Sequence, residues 1–70
     1  MNKDILKGNW KQFKGKVKET WGELTDDDLA QVEGNYEQLV GKIQAKYGYS
    51  RERAEGEVDR FMTDAESHDR

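Results

Sequence analysis

Large apolar side chains recur every three or four positions through two segments of the chain, a spacing typical of helices packed along one face. Strands would require apolar and polar residues to alternate, and no stretch of the chain shows this alternation. The recurring apolar residues are Trp10, Phe13, Val17 and Trp21 in the first segment and Tyr36, Leu39, Val40, Ile43 and Tyr47 in the second. The pattern therefore predicts an all-α fold.

The two segments are related by a shift of 26 positions, which aligns residues 8–22 with residues 34–48. Six of the 15 aligned positions are identical, namely three Gly, one Asn, one Gln and one Lys, and four more keep their apolar or aromatic character. Chance similarity between two amphipathic helices explains the apolar spacing but explains the matched Asn, Gln and Gly residues poorly. We therefore predict a structural repeat.

Residues that begin or end helices stand at equivalent places in both segments. Asn side chains accept hydrogen bonds from the free amides of a first turn, Gln at N3 completes a capping box, and Gly takes the left-handed conformation after a last turn. The predicted N-caps are Asn9 and Asn35, their capping-box partners are Gln12 and Gln38, and the predicted terminating residues are Gly22 and Gly48.

Each segment is followed by a second predicted helix. Thr25 is the expected N-cap of a helix from Asp26 to Glu33, and Ser50 is the expected N-cap of a helix from Arg51 to Ala65. Leu24 and Leu29 are spaced as a hydrophobic staple. The residues expected to face inward are Leu29, Val32, Ala54, Val58, Phe61, Met62 and Ala65.

The predicted architecture is all-α, with four short helices forming two sequential helical hairpins that pack crosswise into a small bundle. We expect the aromatic stripes of the two segments to face each other, because no single helix can bury its stripe alone. Residues 1–65 form the predicted single helical domain, and residues 66–70 form a frayed tail because they contain no apolar side chain.

Gly15 and Gly41 lie inside predicted helices, where glycine costs about 1 kcal/mol relative to alanine. Both fall on the side away from the aromatic stripe. Three explanations stay open: tolerated surface glycine, close approach by another helix of the chain, or docking of a partner's backbone.

Composition removes several classes of protein. The chain has no Cys, no Pro and one His, which excludes disulfide scaffolds, thiol catalysis and Cys-based zinc sites. Leu, Ile, Val and Phe together number 12 of 70 residues, so the core is small, but a net charge of −3 is too low to favour disorder. No apolar run of about 18 residues predicts a membrane span, and the first residues do not resemble a signal peptide. We expect a cytoplasmic protein.

Candidate chemistry is sparse. His68 stands near the end of the predicted tail, where no fixed partner could make it a general base. Asp26, Asp27 and Asp28 are successive helical residues about 100° apart, so they match the helix dipole better than they converge on a metal. The glycines match no phosphate-binding motif. We therefore expect no enzymatic activity, no cofactor and no small-molecule substrate.

Lysines cluster in the first third of the chain. Residues 1–24 carry six Lys and three acidic residues, a net charge of +3, whereas residues 25–70 carry a net charge of −6. Lys7, Lys11, Lys14 and Lys18 form one basic stripe if the first helix reaches back to Lys7. The stripe is a candidate contact for an anionic surface, nucleic acid or lipid, and balance against acidic residues of the same chain is the competing interpretation.

The full set of motifs resembles the CsbD-like family of bacterial proteins, most closely its short proteobacterial members. The resemblance covers about residues 3–62 and rests on GNWKQFKGKVKE at 8–19, WGELTDDD at 21–28, LVGKIQ at 39–44 and YGY at 47–49. It implies a small cytoplasmic general-stress protein with an all-helical fold and no established molecular action. We expect a non-enzymatic, protective role; a small adaptor for a protein or an anionic surface is the alternative.

Overall fold

The computed structural model describes the backbone of residues 3–67 and the side chains of residues 5–64. All regular elements in these residues are helical, so the all-α prediction is confirmed, but their number is five and the prediction of four helices is wrong. None of the described helices is both long and apolar enough to cross a bilayer. The helices are α1 (Lys3–Gly8), α2 (Trp10–Thr20), α3 (Asp26–Val32), α4 (Tyr36–Tyr47) and α5 (Arg51–Ser67).

The additional helix α1 is separated from α2 by a turn at Asn9. The amide of Asn9 donates to the Ile5 carbonyl at 3.1 Å, and its side-chain Nδ2 donates to the same oxygen at 3.2 Å. The Asn9 side chain is thus turned back onto α1 and makes no capping hydrogen bond to α2. Asn9 thus occupies the predicted N-cap position of α2, but the predicted capping hydrogen bond is absent because its side chain contacts the Ile5 carbonyl.

The other three predicted N-caps are confirmed. Thr25 Oγ1 accepts from the Asp28 amide at 3.1 Å, and the Asp28 carboxylate accepts from the Thr25 amide at 3.0 Å, so the two residues form a capping box. Asn35 Oδ1 accepts from the N3 amide of α4 at 3.0 Å, and Ser50 Oγ accepts from the N3 amide of α5 at 3.1 Å. Local polar chemistry therefore starts α3, α4 and α5.

Helix ends agree less well with the sequence. Gly48 follows α4 with φ of 72°, as predicted. Gly22 does not play this role: α2 ends at Thr20, and Trp21, its C-cap, has φ of −120° and a side chain only 3% exposed. Gly22, where a left-handed residue was expected, is not one of the glycines with positive φ. Helix α3 ends one residue earlier than predicted and α5 two residues later.

A single apolar cluster lies at the centre of the described residues. Most of the predicted inward residues belong to it, but Phe61, Trp10, Phe13 and Tyr47 are only half-buried around its edge, and the side chain of Ala65 lies outside the described residues. The buried members are Leu6, Val17, Trp21, Leu24, Leu29, Val32, Tyr36, Leu39, Val40, Ile43, Ala54, Val58 and Met62.

Helix α4 is the central element, since it packs against α1, α3 and α5. The aromatic stripe of α2 meets α5: the Phe61 ring lies 6.0 Å from the Phe13 ring and 5.2 Å from the Trp21 ring, measured between centroids. The stripes of the two segments were expected to face each other, and the structure instead places Phe61 against the first one.

Helix α1 approaches the turn between α3 and α4 closely at Gly34. This glycine has φ of 80°, and a Cβ added to it would lie 2.7 Å from Cα of Lys7 and 3.3 Å from Cβ of Trp10. Only glycine fits both the backbone conformation and the space. The contact brings Leu6, which is fully buried, onto the core.

Candidate functional site

The four lysines of the predicted basic stripe lie on two helices. Lys7 belongs to α1, and Lys11, Lys14 and Lys18 belong to α2. The helix does not reach back to Lys7, because the turn at Asn9 interrupts it, so no continuous helical stripe exists. Even so, Lys7 and Lys11 line one groove of about 340 Å³, whose other lining residues are Gly8, Asn9, Trp10 and Gln12.

Lys18 is engaged within the chain. Its Nζ lies 2.8 Å from Oδ1 of Asp26, the first residue of α3. The hydrogen bond from Lys18 lowers the pKa of the Asp26 carboxyl below its ordinary value, and the charges of Lys18 and Lys14 act in the same direction. Internal charge balance thus accounts for Lys18.

Lys7, Lys11 and Lys14 are exposed and make no ion pair with any side chain in residues 5–64. Trp10 is half-buried and lines the same groove as Lys7 and Lys11. We call Lys7, Trp10, Lys11 and Lys14 the α1–α2 basic face. Ammonium groups beside a partly exposed indole can bind an anion and a neighbouring apolar group together.

Trp10 was missed as a surface residue because its spacing assigned it to the core stripe. The signal that could have identified it is its sequence neighbourhood. Trp10 stands beside Lys11 and three residues after Lys7, whereas Tyr36, the equivalent residue of the second segment, is followed by Glu37. Tyr36 is also only 7% exposed.

The three consecutive carboxylates at the start of α3 diverge. Asp26 contacts Lys18, and Asp27 is exposed. Asp28 is 8% exposed and lies 3.1 Å from Nζ of Lys46 on α4. The backbone hydrogen bond from Thr25, followed by the hydrogen bond from Lys46, lowers the pKa of Asp28 to about 2. The cluster therefore caps α3 and ties it to α4.

Two further groups of polar residues join helices. The Tyr36 hydroxyl of α4 donates to Oδ1 of Asp59 on α5 at 2.8 Å, and burial together with that carboxylate raises the pKa of the tyrosine well above 10. Arg51 contacts Glu37 and lies 2.8 Å from Glu55, and both hydrogen bonds raise the pKa of its guanidinium. The Tyr36–Asp59 and Arg51–Glu37 contacts join α5 to α4, whereas the Arg51–Glu55 contact lies within α5.

A second groove of about 370 Å³ lies between α2 and α5. Its walls carry both signs of charge: Lys16 and Glu19 on α2, and Arg60 and Asp64 on α5, beside the half-buried Phe61. Glu57 also lines it, so the groove carries three carboxylates and two basic groups and is no candidate for an anion. His68 lies outside the described residues.

The exposed glycines inside α2 and α4 do not contact another helix. A Cβ added to Gly15 or to Gly41 would meet no other atom within 4 Å. Close approach by a second helix of this chain is therefore not their explanation, which leaves tolerated surface glycine or contact with a partner.

Sequence comparison places this fold in a family. The CsbD-like family model matches residues 4–56. The UPF0337 protein YjbJ of Escherichia coli O6:H1 is 68% identical over 59 residues, which cover 84% of this chain and 86% of that protein. The UPF0337 protein PA4738 of Pseudomonas aeruginosa is 61% identical over 61 residues, which cover 87% of this chain and 94% of that protein. The chain therefore belongs to the CsbD-like family.

Proposed function

We propose that this protein is a non-enzymatic, cytoplasmic stress-response protein that protects other macromolecules when it accumulates. The observation that carries the proposal is that the titratable groups with shifted pKa values make structural contacts. Asp26, Asp28, Tyr36 and Arg51 have shifted pKa values, and each is held by a contact that caps or joins helices. Catalytic sites shift pKa values around a cleft, but here the shifts accompany structural contacts.

The composition of the surface supports a protective role. Charged residues make up 39% of the chain, the mean hydropathy is −1.20, and there is no Cys that could oxidise. Acidic and basic side chains are interleaved, as in the contacts of Arg51 with Glu37 and Glu55. Such a surface keeps a protein soluble at high concentration and lets it lie between client molecules without binding them tightly.

A client-survival assay tests this proposal. A labile enzyme is dried or heated with the protein, and the activity that survives is compared with that obtained with an inert globular protein of matched mass. We expect greater survival with this protein. Equal survival at equal mass concentration would contradict a protective function.

A small adaptor for a protein or an anionic surface is the second candidate function, and one observation favours it. Lys7, Lys11 and Lys14 have no ion partner among the described side chains, although the chain as a whole carries more acidic than basic residues. An NMR titration with nucleic acid and anionic vesicles tests the adaptor. If neither ligand changes the chemical shifts, and the wild type and a Lys11→Glu, Lys14→Glu variant behave alike, the lysines have a structural role only.

A further inference from the structure

The α1–α2 basic face combines two kinds of chemistry in one place. Lys7 and Lys11 border the groove that exposes part of Trp10, and Lys14 stands one turn further along α2. Positive charge thus lies beside incompletely covered apolar surface.

We propose that this face docks on the surface of an anionic phospholipid membrane, with Trp10 at the level of the headgroups and the three lysines on lipid phosphates. The proposal rests on the second candidate function, an adaptor for a protein or an anionic surface, and identifies that surface as lipid. A cluster of lysines is attracted to the negative surface of a membrane that contains anionic lipid. Tryptophan favours the membrane interface because its ring is apolar and its N–H is polar.

Lipid fits this face better than nucleic acid. Residues 1–24 contain six Lys and no Arg, so the side chain that reads guanine edges is missing from the basic region. Lysine ammonium groups are sufficient for lipid headgroups, which are bound by charge and need no directional readout.

Charge also orients the molecule on such a surface. Lys18 is paired with Asp26, and Lys16 lines the other groove beside Glu19 and Asp64, so the lysines away from carboxylates are those of the α1–α2 basic face. The rest of the chain, residues 25–70, carries a net charge of −6 and is repelled by anionic lipid. Contact through the α1–α2 basic face is therefore the favourable orientation, and it weakens with salt.

The two tryptophans provide a built-in test. Trp10 is half-buried in the proposed face, whereas Trp21 is 3% exposed in the core. The full chain is mixed with vesicles of equal parts phosphatidylglycerol and phosphatidylcholine whose acyl chains carry bromine. In a Trp21→Phe variant we expect the fluorescence of Trp10 to be quenched, and in a Trp10→Phe variant we expect Trp21 to be unaffected. Phosphatidylcholine vesicles should quench neither. Stronger quenching of Trp21 than of Trp10 would overturn the proposed orientation.

Two double variants of equal net charge show whether binding depends on the α1–α2 basic face or only on the net charge of the protein. Sedimentation of each variant with vesicles measures the binding and needs neither tryptophan variant. Lys7→Gln with Lys11→Gln removes two charges from the face, and we expect vesicle binding to fall about thirty-fold. Lys16→Gln with Arg60→Gln, which alters the other groove, gives the same net charge and should change binding less than about threefold. Equal losses would overturn the proposal.

A DNA duplex and a single-stranded oligonucleotide complete the experiment. Binding to nucleic acid without binding to vesicles would overturn the lipid proposal and leave the anionic-surface function standing. Binding to neither would overturn both. Binding to anionic vesicles that is lost in the Lys7→Gln, Lys11→Gln variant, with no comparable binding to nucleic acid, supports both.

Discussion

Replacing the three exposed glycines inside helices by alanine is expected to raise the free energy of unfolding by about 3 kcal/mol. Gly15, Gly41 and Gly56 lie within α2, α4 and α5, and a Cβ at each position would meet no other atom within 4 Å. Each Gly→Ala change inside a helix stabilises by about 1 kcal/mol, mainly by restricting the unfolded chain. The three sites lie on different helices and share no neighbour, so their effects should add.

A gain of this size would be large for this protein, because a domain of about 70 residues keeps roughly 3–5 kcal/mol of net stability. Urea denaturation followed by far-ultraviolet circular dichroism measures the gain as a higher midpoint at unchanged slope. Gly48→Ala and Gly34→Ala are the matched controls. Gly48 has open space but φ of 72°, so alanine there should destabilise by about 1–2 kcal/mol. Gly34→Ala should destabilise more, because its Cβ would also lie 2.7 Å from Cα of Lys7.

The triple variant would refute this reasoning if it were no more stable than the wild type. It also separates the two explanations left for Gly15 and Gly41. A stabilised variant that keeps its protective and binding properties indicates tolerated surface glycine. A stabilised variant that loses one of them indicates that a partner contacts these positions, where an added methyl group obstructs its approach.

Three further predictions follow from single contacts. Asp28→Asn should lower the free energy of unfolding at neutral pH. Because folding lowers the pKa of Asp28 from 3.8 to about 2, the stability difference between wild type and variant should shrink as the pH falls through this range. Urea titrations measure this difference, and a difference that is undiminished at pH 2 would contradict the cause. Tyr36→Phe should cost about 1 kcal/mol in urea denaturation by removing the hydrogen bond to Asp59, and an unchanged midpoint would show that the bond adds nothing. Val58→Ala opens space at a fully buried position and should cost roughly 1–3 kcal/mol; a loss below about 0.5 kcal/mol would indicate that the core closes around the smaller side chain.

Sequence reasoning succeeded where a helix start is determined by residues within one turn of it. Thr25, Asn35 and Ser50 cap α3, α4 and α5 as predicted, because each needs only an amide three residues away. The apolar spacing likewise identified Leu29 and Val58 as buried residues. The bounds of these helices consequently agree with the prediction to within one or two residues.

The failures lie where distant parts of the chain determine the conformation. Helix α1 has six residues, too few for an apolar period to be recognised, and Leu6 is buried through the approach of α1 to Gly34. At the candidate site, the contact between Lys18 and Asp26 crosses the turn between α2 and α3. Spacing along one helix could not reveal it, and so could not separate Lys18 from the exposed lysines.

The two similar segments have diverged in the roles of their matched residues. Asn35 caps α4, whereas Asn9 is turned back onto α1. The difference accompanies α1, which precedes only the first segment and supplies the Ile5 carbonyl that the Asn9 side chain contacts. The two segments also differ in how far their apolar residues are buried. Helix α4 packs against α1, α3 and α5, so most of the apolar side chains of the second segment are buried, namely Tyr36, Leu39, Val40 and Ile43.

Helix α2, by contrast, keeps Trp10 partly exposed beside Lys7 and Lys11. Tyr36, the residue of the second segment equivalent to Trp10, is buried and is followed by Glu37. If Trp10 served only to complete the core, an acidic residue should be tolerated after it as well. A Lys11→Glu variant tests this, because it gives the first segment the residue that follows Tyr36. We expect it to keep its free energy of unfolding in urea, since Lys11 has no ion partner among the described side chains, and to lose binding to anionic vesicles. Loss of stability with unchanged vesicle binding would instead assign the lysine to the fold.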